Sequence, residues 1–247
     1  KTFLNTKNPV KPTILKNNLS DISKKLKTNT SKNLSEEKAL EIFKDIGIET
    51  VDYRVSINLK QAIECSSKIG FPVAMKVLSS QILHKTESGG VELNIKNLEE
   101  LKISFQKLSD VFKKFKINTE NQKYLIQKME KGISEIILGY RIDELVGPII
   151  VLGSGGILSE IYNDKSIRMA PVDMSEAKKM INEVKSLVTI TGYRGLPEAN
   201  LNIIATAIVN MSKFAFIKEI KEAEINPIIV KKENEGIVAV DGLITLN

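Results

Sequence analysis

The 247-residue chain contains one cysteine, one histidine, no tryptophan and only 5% aromatic residues. A single cysteine excludes an internal disulfide framework, so stability must come from a packed core. No uninterrupted apolar run approaches the length of a membrane-spanning helix, and the N-terminus lacks the apolar segment of a signal peptide. These absences predict a reducing, cytoplasmic setting without membrane contact. What the chain does have is 42% apolar and 27% charged residues, enough to bury a core and too many to be disordered or fibrous. Its length exceeds one average domain and admits a two-lobed unit.

The formal charge of +6 would suggest nucleic acid, but its distribution argues otherwise. Residues 1–34 hold eight lysines against Asp21 alone, a local +7; the remainder carries 28 basic and 29 acidic residues. The basicity belongs to a tail rich in Lys, Asn, Ser and Thr, which reads as a flexible linker over 1–34. The folded part shows no aromatic-basic interleaving, so no nucleic-acid partner is expected. The first residue is Lys rather than Met, which favours a piece of a fused chain over a separate subunit.

From Ser35 onward helix and strand signals alternate. Ser35, Glu36, Glu37 and the apolar Ala39, Phe43 and Ile46 predict a capped helix stopped by Gly47. A strand is expected near 50–55, a helix over 59–69 closed by Gly70, and a strand over 72–77. Asn97 with Glu100 forms a capping pattern before the stripe Leu101, Phe105, Leu108, Phe112, Phe115, which reads as core packing. Strands follow at 124–129, 135–142 and 149–152, then helices from Ser175 and over 201–217. Two β-rich runs, 223–231 and 237–241, flank a hairpin turn. This mixture predicts an α+β fold in two lobes.

Three segments carry candidate chemistry. Strand alternation puts Lys76 on a face with Ala74 and Leu78, where it either snorkels from an edge or meets an anion such as a nucleotide phosphate. Ser88-Gly89-Gly90 follows in a loop that also holds His84; paired glycines let backbone amides approach phosphate, and they also serve ordinary tight turns. An imidazole can carry a phosphoryl group, because its nitrogen is nucleophilic near neutral pH and leaves readily once protonated. In the second segment, Glu224 and Asn226 share a strand face, and the hairpin register places Asn226 opposite Asp241. Three oxygen ligands would then suit Mg²⁺, although alternating polar residues also describe a plain solvated hairpin face. The third, Gly153-Ser154-Gly155-Gly156, follows an apolar strand but lacks the dinucleotide spacing. Arg168 and Arg194 are isolated cations that could meet phosphate or carboxylate.

Taken in order, ILHKTESGGVELN, LIQKM, EIILGYRID, GPIIVLGSGGILSE, SIRMAPV, GYRG, EINPIIV and VAVDG resemble the ATP-grasp domain of NDP-forming acyl-CoA synthetases, such as ADP-forming acetate–CoA ligase. A more distant likeness is to the succinyl-CoA synthetase β subunit. The resemblance covers about 35–247 and implies an ATP-grasp fold, with the nucleotide between a smaller lobe, roughly 51–123, and a larger one. It implies that Lys76 is the nucleotide-phosphate lysine and that Gly89, Gly90 and Val91 form the glycine loop. Gln127, Lys128 and Met129 correspond to the hinge that reads the base, and Glu135 to the acid near ribose and phosphates. Asn226 and Asp241, with Glu224 beside them, correspond to Mg²⁺ ligands, and His84 to the loop phosphoryl carrier.

The implied reaction is acyl-CoA + ADP + phosphate to carboxylic acid + CoA + ATP, reversible, with ATP or ADP as substrate. No CoA-binding domain lies within these residues. A CoA-binding α subunit or fused N-terminal domains are therefore implied, as is an oligomer. The alternative is a regulatory or structural ATP-grasp module that binds nucleotide without turnover.

Overall fold

The computed structural model describes residues 18–29, 31–79, 82, 85–156 and 164–247. Among these residues the strands form two antiparallel sheets, each covered by helices, so the α+β expectation holds.

The smaller sheet contains β1 (Tyr53–Ser56), β2 (Val73–Val77), β3 (Val91–Ile95) and β4 (Tyr124–Lys128) in the order β1-β4-β2-β3. Helices α3 (Leu59–Ile69) and α4 (Leu98–Lys114) lie against it. Their starts obey their sequences: Asn58 and Asn97 accept N–H bonds from Gln61 and Glu100, satisfying donors that the first turn cannot pair internally. Val73, Met75 and Val77 join Leu101, Leu108 and Phe112 in one core. Phe115, the last member of the α4 stripe, is instead the exposed C-cap. Because β4 pairs with both β1 and β2, the smaller lobe runs on to Lys128 instead of stopping at 123. An apolar run announces a strand without saying which sheet it joins.

The larger sheet contains β5 (Ser134–Asp143), β6 (Gly147–Ser154), β7 (Lys165–Met169), β8 (Ile220–Val230), β9 (Ile237–Ala239) and β10 (Gly242–Leu246). Its order is β10-β8-β5-β6-β7, with β9 also paired to β8. Helices α1 (Asn18–Lys27), α2 (Glu36–Asp45), α5 (Met174–Glu183) and α6 (Leu201–Ser212) contribute to its core around Phe43, Tyr140, Met180 and Phe214. Helix α5 begins one residue before the expected Ser175, because Asp173 rather than Ser175 accepts the Glu176 amide. Strand β10 had no counterpart in the sequence reading.

The linker expectation fails for the second half of the tail. Helix α1 buries Ile22 and Leu26 in the main core, and the Leu34 amide donates to the Ile244 carbonyl at 2.9 Å. Leu19, Ile22 and Leu26 follow helical spacing, a signal outweighed in sequence by the surrounding lysines. Residues 1–17 lie outside the described residues.

Candidate nucleotide and phosphoryl-transfer site

Strand β2 lies inside its sheet, so Lys76 does not escape at an edge. Its side chain is 5% exposed, on the face away from the helices, where the smaller lobe meets the larger. There its ammonium bonds Glu36 Oε1 at 2.7 Å, the Val240 carbonyl at 3.0 Å and Asp241 Oδ2 at 3.2 Å. Glu36 is the first residue of α2, next to the cap Ser35, so its carboxylate sits at the positive end of the helix. Fully buried, it also takes Lys85 on Oε2 at 2.5 Å and the Gln127 side-chain amide on Oε1 at 3.1 Å.

Burial disfavours both charged forms, and their mutual attraction outweighs it. The Glu36 carboxyl is held below its ordinary value because Lys76 and Lys85 overcome the desolvation. The Lys76 ammonium is held above its ordinary value because Glu36 and Asp241 do the same. Sequence reading assigned Glu36 only to a helix start. An acid in a first turn is ordinary, and its burial depends on lysines 40 and 49 residues away.

Asp241 arrives through a broken ladder. β9 and β10 lie end to end on β8 in one continuous register, interrupted at Val240 and Asp241. Opposite the break, Asn226 and Pro227 form a bulge, the β5–β8 register shifting between Ile136 and Leu138; Pro227 has no N–H to give. The Asn226 amide donates to the Asp241 carbonyl at 3.3 Å, as the hairpin register required. Asn226 Nδ2 donates to Glu224 Oε1 at 3.2 Å, so these two side chains do share a face. The Asp241 carboxylate is engaged by Lys76 and by the Gly242 amide at 2.8 Å. Glu224, Asn226 and Asp241 supply hard oxygen donors of the kind Mg²⁺ takes. Among the described residues no three His, Cys, Asp or Glu side chains are gathered as a metal cage.

The glycine amides of the 85–90 loop are engaged within the loop itself. The Gly90 amide donates to the Lys85 carbonyl at 2.6 Å and the Gly89 amide to the Thr86 carbonyl at 3.1 Å, so both close the 85–90 turn. Gly89 has φ +72°, and a Cβ on Gly90 would lie 2.7 Å from Val77 Cγ2. Val91 pairs with Lys76 across β2–β3. Near the hinge, the Lys128 and Met129 amides donate to the Asp52 and Pro72 carbonyls at 2.9 and 3.2 Å, and Gln127 points to Glu36. Glu135 is exposed on β5, and Gly155 passes so close that a Cβ there would lie 2.7 Å from the Glu135 Cβ. Arg168 is spent on the carboxylates of Glu176 and Glu183. Arg194 stacks over Tyr193. His84 lies outside the described residues.

The model of the ATP-grasp domain matches residues 25–246. The chain belongs to the ATP-grasp family. This ATP-grasp chain is 36% identical over 214 residues to the β subunit of ADP-forming acetate–CoA ligase I of Pyrococcus furiosus, covering 86% of itself and 91% of that subunit. It is 35% identical over 210 residues to the ADP-forming 4-hydroxybutyrate–CoA ligase of Nitrosopumilus maritimus; there 85% of this chain spans only 30% of the relative. Among solved structures, an acetyl-coenzyme A synthetase 1 of Ca. Korarchaeum cryptofilum, in complex with coenzyme A and Mg-AMPPCP, is 31% identical with a TM-score of 0.76. The match covers 93% of this chain and 100% of that one. That structure has a phosphohistidine segment pointing towards its nucleotide-binding site.

Proposed function

We propose that this chain is the nucleotide-binding, phosphoryl-transferring part of an ADP-forming acyl-CoA synthetase. The reaction would be acyl-CoA + ADP + phosphate to carboxylic acid + CoA + ATP, in either direction. The observation that carries the reading is the two-way coverage with a β subunit, 86% of this chain and 91% of that one. The charged seam at Lys76, Glu36 and Asp241 supports it, because phosphoryl transfer depends mainly on positioning and on charges fixed beforehand.

His84 would carry the phosphoryl group. It is the sole histidine of the 247 residues, so a phosphohistidine segment in this chain has no other residue to use. Its imidazole would receive the phosphoryl group from an acyl phosphate by way of a partner domain, and ADP would then displace it to give ATP. Lys76 would lower the cost of gathering phosphate charge at the seam. Asp241 and Asn226, with Glu224 adjacent, would hold Mg²⁺ together with phosphate oxygens. That ion would supply charge neutralisation on the transferring group. Gln127 to Met129 would border the base; with the amides of 128 and 129 engaged, recognition would use carbonyls or neighbouring groups. Glu135 would face the ribose and phosphates, and the 89–91 turn would cover them.

A CoA-binding partner, as a separate subunit or fused domains, would complete the cycle. Incubating the chain with Mg-ATP and mapping acid-labile phosphate by mass spectrometry tests the carrier role. Phosphate on His84 is expected. Bound nucleotide with His84 unmodified, and His84→Ala without effect on the assembled enzyme, would replace this reading by a module that binds without turnover.

A further inference from the structure

An ammonium group has three protons, and Lys76 spends all of them on Glu36, the Val240 carbonyl and Asp241. With its side chain 5% exposed, it can touch a phosphate only if Asp241 lets go. The glycine amides of the neighbouring turn are likewise committed, to the Lys85 and Thr86 carbonyls.

Lys85 differs. It opens that turn, its side chain is 15% exposed, and its partner among the described residues is Glu36 Oε2. We infer that Lys85 is the lysine that contacts the terminal phosphates of the nucleotide, and that Glu36 is the residue that positions it. This deepens the proposed function and rests on its nucleotide-binding reading.

Glu36 is suited to the task because every side of it is fixed. Helix α2 anchors it in the larger core through Leu40 and Phe43; Lys76 and the Gln127 amide hold the other oxygen. A lysine tethered to such a carboxylate has lost most of its rotamer freedom before a ligand arrives, so the ordering cost of binding is already met. Because Glu36 lies between Lys76 and Lys85, Lys85 can turn a proton towards a polyphosphate while both lysines keep a carboxylate beside them.

The experiment titrates the full chain, in the presence of Mg²⁺, with ADP, ATP and AMP by calorimetry, alongside thermal melts. The variants are Lys85→Met, Lys85→Arg and Glu36→Gln. Lys85→Met should weaken ADP and ATP binding by about tenfold or more, the loss of a charged hydrogen bond, and leave AMP within about twofold. Lys85→Arg should recover most of the loss. Glu36→Gln should show the same preference for losing polyphosphates. Equal losses for AMP and ATP, or none, would overturn the assignment. Should Glu36→Gln fail to fold, the two Lys85 variants decide alone. A wild-type chain that binds none of the three nucleotides would remove the nucleotide reading itself, and the assignment with it; that result cannot be confused with a defect confined to the variants.

Discussion

Glu36 is the residue on which most at the seam depends. Its carboxyl is depressed in the folded chain by Lys76 and Lys85, whereas unfolded it titrates near about 4.3. A depressed carboxyl contributes stability that is fully present above the unfolded value and lost as pH falls towards the folded one. Urea midpoints between pH 7 and 3 should therefore fall in the wild type on the acid side of about 4.3. Glu36→Gln should show a flatter acid limb; parallel limbs would remove Glu36 as the cause. Lys76→Met tests the same cluster from the other side, leaving Glu36 with Lys85 and the Gln127 amide, and the loss of one partner of a buried pair costs about 3–5 kcal/mol. Chemical denaturation measures it, and a change below about 1 kcal/mol would mean that water already compensates the pair. At Gly90 the constraint is steric: Gly90→Ala must displace Val77 or the Lys85 carbonyl, so it should destabilise the smaller lobe more than Gly89→Asn, a residue that tolerates positive φ.

At the scale of elements, α1 separates a tail from a domain. Leu26 is 3% exposed, and Leu26→Ala should cost about 2–5 kcal/mol if the helix belongs to the core. A flexible linker would give nearly zero. Helix ends with strong local signals were legible from sequence: Gly70 closes α3, and Asn97 with Glu100 starts α4, because a cap is a local hydrogen bond. The alternation of Val73, Met75 and Val77 against Ala74 and Lys76 was equally readable, and so was the meeting of Asn226 with Asp241, since a hairpin fixes its own register. Other features were not. Helix α1 is too polar around its stripe, β10 continues a strand that breaks at Asp241, and the Glu36 contacts join residues that only the packing of two lobes brings together. The committed amides of Gly89, Gly90, Lys128 and Met129 were also invisible, because glycine composition reveals conformational freedom and not what the backbone has already bonded.

For the whole molecule, a ligand that binds only the folded chain must stabilise it. Mg-ADP at about one hundred times its dissociation constant should add about 2.7 kcal/mol, readable as a rise in Tm that AMP at equal concentration does not match. No helix among the described residues is long and apolar enough to cross a membrane.

The two lobes have separate hydrophobic cores, an arrangement that by itself would let them melt independently. The seam opposes this. Glu36 sits on α2 of the larger lobe and Lys76 on β2 of the smaller one, paired across the seam, so opening either lobe alone strands a buried charge in whichever remains. The consequence is cooperativity: the wild-type chain should unfold in a single calorimetric transition despite its two cores. Glu36→Gln combined with Lys76→Met, which removes the mismatch, should separate the transition into two. A wild-type thermogram that already shows two peaks would mean that the cores, and not the charges between them, set the unit of folding.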